Sequence, residues 1–120
     1  MTARWYVPME AARRHLDEAR RCLERNQKGV AASEAYYAMY HVVAHAAESR
    51  GDSAPKTHEG MEWYFFHELV QAGPLTLDEH NTHFDDARAA RLRWHYRGKS
   101  PEGGVSTYVS VAGELLEYYG

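Results

Sequence analysis

The run RAARLRWHYRG, residues 88–98, gathers four arginines and one histidine with no acid among them, in a chain of formal net charge −3. Residues of these types can do two kinds of chemistry. A guanidinium holds phosphate through paired hydrogen bonds, and an imidazole moves protons near neutral pH. Placed on an α-helix at about 100° per residue, Leu77, Phe84, Arg88, Arg91 and His95 share an arc of about 60°. Arg93 and Arg97 fall on the opposite side, where they are expected to be solvated and to complement the helix dipole near its C-terminal end. Arg88, Arg91 and His95 thus extend an inward stripe that begins as Leu77 and Phe84. A buried guanidinium needs a partner. Two kinds are open to these: an acid such as Asp85, Glu34 or Glu68, or a phosphate held in a groove.

The elements that must position this stripe are all helical by period. The 120 residues, 44% hydrophobic and 26% charged, suit one globular domain (1–120, with 1–7 as an N-terminal extension) and no strand-like alternation appears. Met9, Ala12, Leu16, Ala19 and Leu23 recur at helical steps behind Pro8, and Gly29 is read as the end of that helix. VAASEAYYAMYHVVAHAAE, about 30–49, is small or apolar nearly all round and predicts a central helix, broken by Gly51 and Pro55. Thr57 is placed to cap a third helix with Met61, Phe65 and Leu69 at four-residue steps, closed by Gly73-Pro74. The T-L-D-E pattern at 76–79 opens a fourth helix running to about Arg97. GKSPEGG is a turn, and Tyr108, Ala112, Leu115 and Tyr119 mark a fifth helix. Five helices with short connections predict an all-α, antiparallel up-and-down bundle.

Composition excludes some classes. The net charge argues against bulk electrostatic coating of nucleic acid. No apolar run approaches the roughly 20 residues of a membrane span. The start MTARWYVPMEAARR lacks an apolar signal region, so a cytoplasmic location is expected. The single cysteine, Cys22, allows neither an intrachain disulfide nor a multi-cysteine zinc site and reads as packing.

Eight histidines and nine tyrosines stand out. His41 and His45 at i, i+4, and His80 and His83 at i, i+3, have spacings that can chelate a metal, so a histidine-ligated metal bundle is one reading. No H-E-x-x-H accompanies them. Tyr36 and Tyr37 read first as core tyrosines that find hydrogen-bond partners, and secondly as stacking or phosphate contacts, as does Tyr96 beside His95. His58 reads as a helix-start residue.

ASEAYYAMYHVVAHAAESRG, PKTHEGMEWYFFHELVQAGPL and ARAARLRWHYRG, in that order, resemble the HEPN domain family. These are small helical domains of prokaryotic toxins and nucleotidyltransferase partners, and the resemblance covers roughly residues 9–119. It implies a dimeric helical bundle whose catalytic members are endoribonucleases with an arginine, four to six residues, then a histidine on one helix. Arg88 and His95 match that spacing. The resemblance implies His95 as general acid or base toward the ribose 2′-hydroxyl and leaving oxygen, and Arg88 as stabiliser of the phosphorane charge, with no metal or cofactor. Arg91, Tyr96, Tyr37 and His41 would contact RNA in a cleft composed at a homodimer interface. Arg91-Leu92-Arg93-Trp94-His95-Tyr96 also resembles the arginine, three residues, Asp-Tyr pattern of relatives that are not obviously nucleases and that accompany a minimal nucleotidyltransferase. That implies the second reading, a non-catalytic domain binding a nucleotide or such a partner.

Overall fold

A computed structural model describes residues 6–70, 78–101 and 103–120, without the side chains of residues 78–81. Five helices follow in order: α1 Pro8–Glu24, α2 Lys28–Ser49, α3 His58–Tyr64, α4 Asp78–Arg97 and α5 Val105–Tyr119. The chain runs on from α3 as a π-helix over Phe65–Val70. There is no strand among the described residues. Leu77, the Gly73-Pro74 pair, most of the 76–79 capping pattern and the His80 side chain lie outside the description.

The central role expected of the second helix holds. α2 packs against α1, α4 and α5. It buries Ala31, Ala32, Ala35, Tyr36, Ala38, Met39, Val42, Val43, Ala44, Ala46 and Ala47. Its alanines let neighbouring helices approach closely on several sides, and its large residues fill the layers between. α1 presents Met9, Ala12, Leu16 and Ala19, as its period predicts, with Cys22 beside them. Cys22 is buried and its thiol is pushed up by that burial, so it packs rather than reacts.

The turns show where backbone geometry decides. Three residues separate α1 from α2, with Asn26 in the left-handed region at φ 60°. Gln27 N–H then bonds Cys22 C=O at 2.8 Å and Asn26 N–H bonds Leu23 C=O at 3.0 Å, a Schellman closure. Gly29, expected to end α1, lies instead in the first turn of α2. There it is needed for space, since the Trp94 indole of α4 lies directly over it. Gly51, at φ 82°, closes α2 as expected. Arg50 then ties that end to the π-helix through the Glu68 carbonyl at 3.0 Å, and Tyr64 donates to Asp52 at 2.8 Å.

Thr57 caps α3, its Oγ1 accepting from Gly60 N–H at 2.9 Å. The turn is solvent-exposed, so Thr57→Ala is expected to lower stability by about 1 kcal/mol, read as the shift in a urea unfolding midpoint. An unchanged midpoint would show that the cap bond contributes nothing. The strict four-residue spacing of Met61, Phe65 and Leu69 drifts around a 3.6-residue helix. The wider turns of the π segment keep Phe65, Leu69 and Val70 all in the core.

α4 is rotated relative to the expected stripe. Its fully buried positions are Phe84, Ala87 and Ala90, with Trp94 partly covered beyond them. Arg88 and Arg91 flank this face and are partly buried, whereas His95 is exposed. Counting only large residues placed the centre of the stripe too near His95. The small Ala87 and Ala90 are what allow α4 to lie against α2, and they set its rotation.

Candidate functional site

Arg88 and Arg91 enter a layer of tyrosines and histidines supplied mainly by α2. Tyr36 is fully buried, with Phe84 5.4 Å from its ring centroid, and its hydroxyl lies 2.6 Å from His58 Nδ1. Burial pushes the Tyr36 hydroxyl far above its ordinary pKa, so it keeps its proton. With no other acceptor for it among the described residues, that proton is donated to Nδ1. His58 therefore carries its own proton on Nε2. Burial first, and Arg91 and Arg88 next, hold its pKa down and keep the ring neutral.

Arg88 Nη1 donates to Glu62 on α3 at 3.1 Å. Both side chains keep about a quarter of their exposure, and burial raises the Glu62 carboxyl against the pull of Arg88. The acid that meets Arg88 is therefore Glu62, and not Asp85, Glu34 or Glu68. Glu34 bonds His15 instead, at 2.5 Å, and Glu68 lies 3.6 Å from Arg50. Arg91 behaves differently. Its guanidinium lies over the Tyr37 ring, 4.9 Å from the centroid, and it has no ion pair among the described residues. The Nε atoms of both arginines are buried with no hydrogen-bond partner among the described residues.

His41 belongs to the same aromatic layer at its α1 side. It stacks on His15 with centroids 5.1 Å apart, it lies beside Tyr37, and its Nδ1 shares a hydrogen bond with the Tyr6 hydroxyl at 2.6 Å. Burial, then His15 and Arg14, depress its pKa to about 4. His45, expected as its possible metal co-ligand, turns to Ser49, 3.4 Å away. No three histidine, cysteine or acidic side chains converge as a metal site among the described residues.

The structure thus brings Arg91, Tyr37 and His41 into one layer and leaves His95 and Tyr96 apart, at the open end of α4. Tyr96 is 74% exposed, and the His95 ring meets its edge at 5.0 Å. Arg88 and His95 lie on one side of the helix, two turns or about 10 Å apart along its axis. His58, Glu62 and His15 were not singled out as site residues. Lys-Thr-His at residues 56–58 was the available signal for His58, but only the packing of α3 on α2 and α4 brings its ring to Tyr36.

No family model, curated protein or solved structure matches this chain. No helix among the described residues is long and apolar enough to cross a membrane.

Proposed function

We propose that this chain is a HEPN-type domain, an antiparallel up-and-down bundle that pairs as a homodimer and cleaves RNA without a metal, as the toxin-like member of a toxin–antitoxin or defence pair. The observation that carries the reading is the placement of His95: exposed at the end of α4, in line with Arg88 and Arg91. Two such helices side by side form one cleft with an imidazole from each copy. One accepts the 2′-hydroxyl proton as that oxygen attacks phosphorus, and the other protonates the departing 5′ oxygen. The arginines stabilise the charge gathering on the phosphorane oxygens. Arg93, Arg97 and Lys99 around this end attract the backbone before it docks.

One observation favours the second reading. The Arg88–Glu62 ion pair occupies the cation that the family spacing assigns to chemistry, which suits a non-catalytic domain binding a nucleotide or a minimal nucleotidyltransferase.

The two readings separate in one experiment. Wild-type protein is incubated with several unstructured RNAs in excess chelator. For the nuclease, cleavage persists in chelator, His95→Ala lowers its rate by about 100-fold or more, and Glu62→Gln, which frees Arg88, leaves it intact or faster. Wild type that binds these RNAs but cleaves none of them removes the nuclease and leaves the binding domain.

A further inference from the structure

We propose that Arg91, His58 and Tyr37 form an anion subsite between α2, α3 and α4 that holds a phosphate group of the bound nucleotide chain, apart from the cleavage position at His95. The inference deepens the RNA reading of α4 and rests on it for the source of the phosphate. The subsite itself is argued from three independent features.

The first is uncompensated charge. Arg88 and Arg91 sit one turn apart on the same side of α4, yet among the described residues the nearby carboxylates lie with Arg88: Glu62 bonds it and Asp85 feels its charge. Arg91 is partly buried over an aromatic ring with no acid beside it among the described residues. A guanidinium taken partly out of water gains from a ring face, but a ring does not replace a countercharge. Its Nε, buried and unpartnered, leaves a charged donor unmet, and such a group calls for an explanation. A small tilt of the planar fork would give Nε and one Nη to two oxygens of a phosphate, the geometry guanidinium groups favour.

The second is the state of His58. Because Tyr36 donates to Nδ1, the ring offers an N–H at Nε2, a donor suited to an anion and useless to a cation. His58 is partly exposed, and its Nε2 has no partner among the described residues. Burial first, then Arg91 and Arg88, keep the ring neutral, and Arg91 is the charge that would share the anion with it.

The third is rigidity. The Tyr37 ring contacts both groups, with Arg91 over its face and the His58 ring centroid 6.4 Å away. Tyr36, Tyr40 and Phe84 hold the rings on either side. The rings, His58 among them, are therefore positioned before any ligand arrives, which lowers the cost of binding.

The test follows the His58 ring by proton–nitrogen NMR at pH 7 during titration with inorganic phosphate, 5′-AMP or a tetranucleotide RNA. Saturable displacement of the His58 signals is expected, strongest for the RNA. Arg91→Gln is expected to weaken binding about tenfold, the loss of one charge-assisted contact. His58→Asn keeps an acceptor for the Tyr36 hydroxyl, so it is expected to melt near the wild-type temperature while also losing affinity. Absence of any His58 displacement by all three probes at about 10 mM overturns the subsite. RNA binding or cleavage unchanged in both Arg91→Gln and His58→Asn also overturns it while leaving the RNA reading standing. Displacement by phosphate and AMP but not by RNA supports the subsite and removes RNA as the source of its phosphate.

Discussion

Gly29→Ala is expected to destabilise the protein by about 1–3 kcal/mol, although the same change at an open helix position stabilises by up to about 1 kcal/mol. The reason is one contact. A Cβ built on Gly29 would lie 2.3 Å from Trp94 Cδ2 and 2.5 Å from Cε3. Neither atom belongs to a flexible chain end; both are part of a rigid indole wedged between the α1–α2 turn and α4. Either α4 moves away from α2 or Trp94 leaves its seat, and both expose apolar surface. For a domain of this size the melting temperature should fall by several degrees for each kcal/mol. Trp94→Leu removes most of the obstruction, so the double variant should show a smaller penalty for Gly29→Ala than the single one, a coupling read by a double-mutant cycle. If Gly29→Ala instead raises the melting temperature, the indole is not seated on this glycine.

That contact shows what was legible in the sequence and what was not. Periodicity located α1 and α5, where one apolar face dominates, and α2 was located because it is small or apolar nearly all round. Thr57 and Gly51 were legible because capping and left-handed turns are local chemistry. The rotation of α4 was not. Its inward face is made of Ala87 and Ala90, which carry little weight in a hydrophobic pattern yet decide how closely two helices pack. Gly29 was misplaced for the same reason: a glycine read as a terminator is required by a tryptophan 65 residues away in sequence. The site was readable in its residue types and unreadable in its pairings. The sequence singled out Arg88, Arg91, Tyr37 and His41, but Glu62 and His58 reach them only through the docking of α3.

The two arginines also have separate roles despite equal chemistry. Arg88 is held in an ion pair across α3 and α4, where loss of Glu62 frees its charge. Arg91 rests on an aromatic face and keeps its charge available to an incoming anion. A substitution at Arg88 therefore affects stability through Glu62, which would remain as a partly buried, unpaired acid. A substitution at Arg91 should leave stability nearly unchanged and act on ligand affinity. Arginine scanning that reads melting temperature and RNA affinity together separates fold from function along a single helix.

Acidification from pH 7 to pH 5 is expected to destabilise the protein, with His41 as the largest single contributor. Its imidazole has a folded pKa of about 4, against an ordinary 6.5. The unfolded chain therefore takes up a proton on this residue below about pH 6.5, while the folded protein does not until near pH 4. Stability is fully present above the unfolded value and declines as pH falls through that window, by at most about 3 kcal/mol, and by about half of that after solvent screening. Burial is the main reason the ring resists the proton, and His15 and Arg14 from α1 add positive potential beside it. His58, depressed in the same direction, adds to the decline. Glu62 and Asp85, raised by burial, act oppositely, since protonating them relieves the folded state at lower pH. Comparison with a variant lacking the imidazole separates His41 from these carboxyls, which are present in both proteins. Urea unfolding between pH 6.5 and 5 should show a clear slope for wild type and a flatter one for His41→Gln, with the difference confined to that range. Equal slopes for the two proteins would mean that His41 takes up its proton as readily in the folded chain as in the unfolded one.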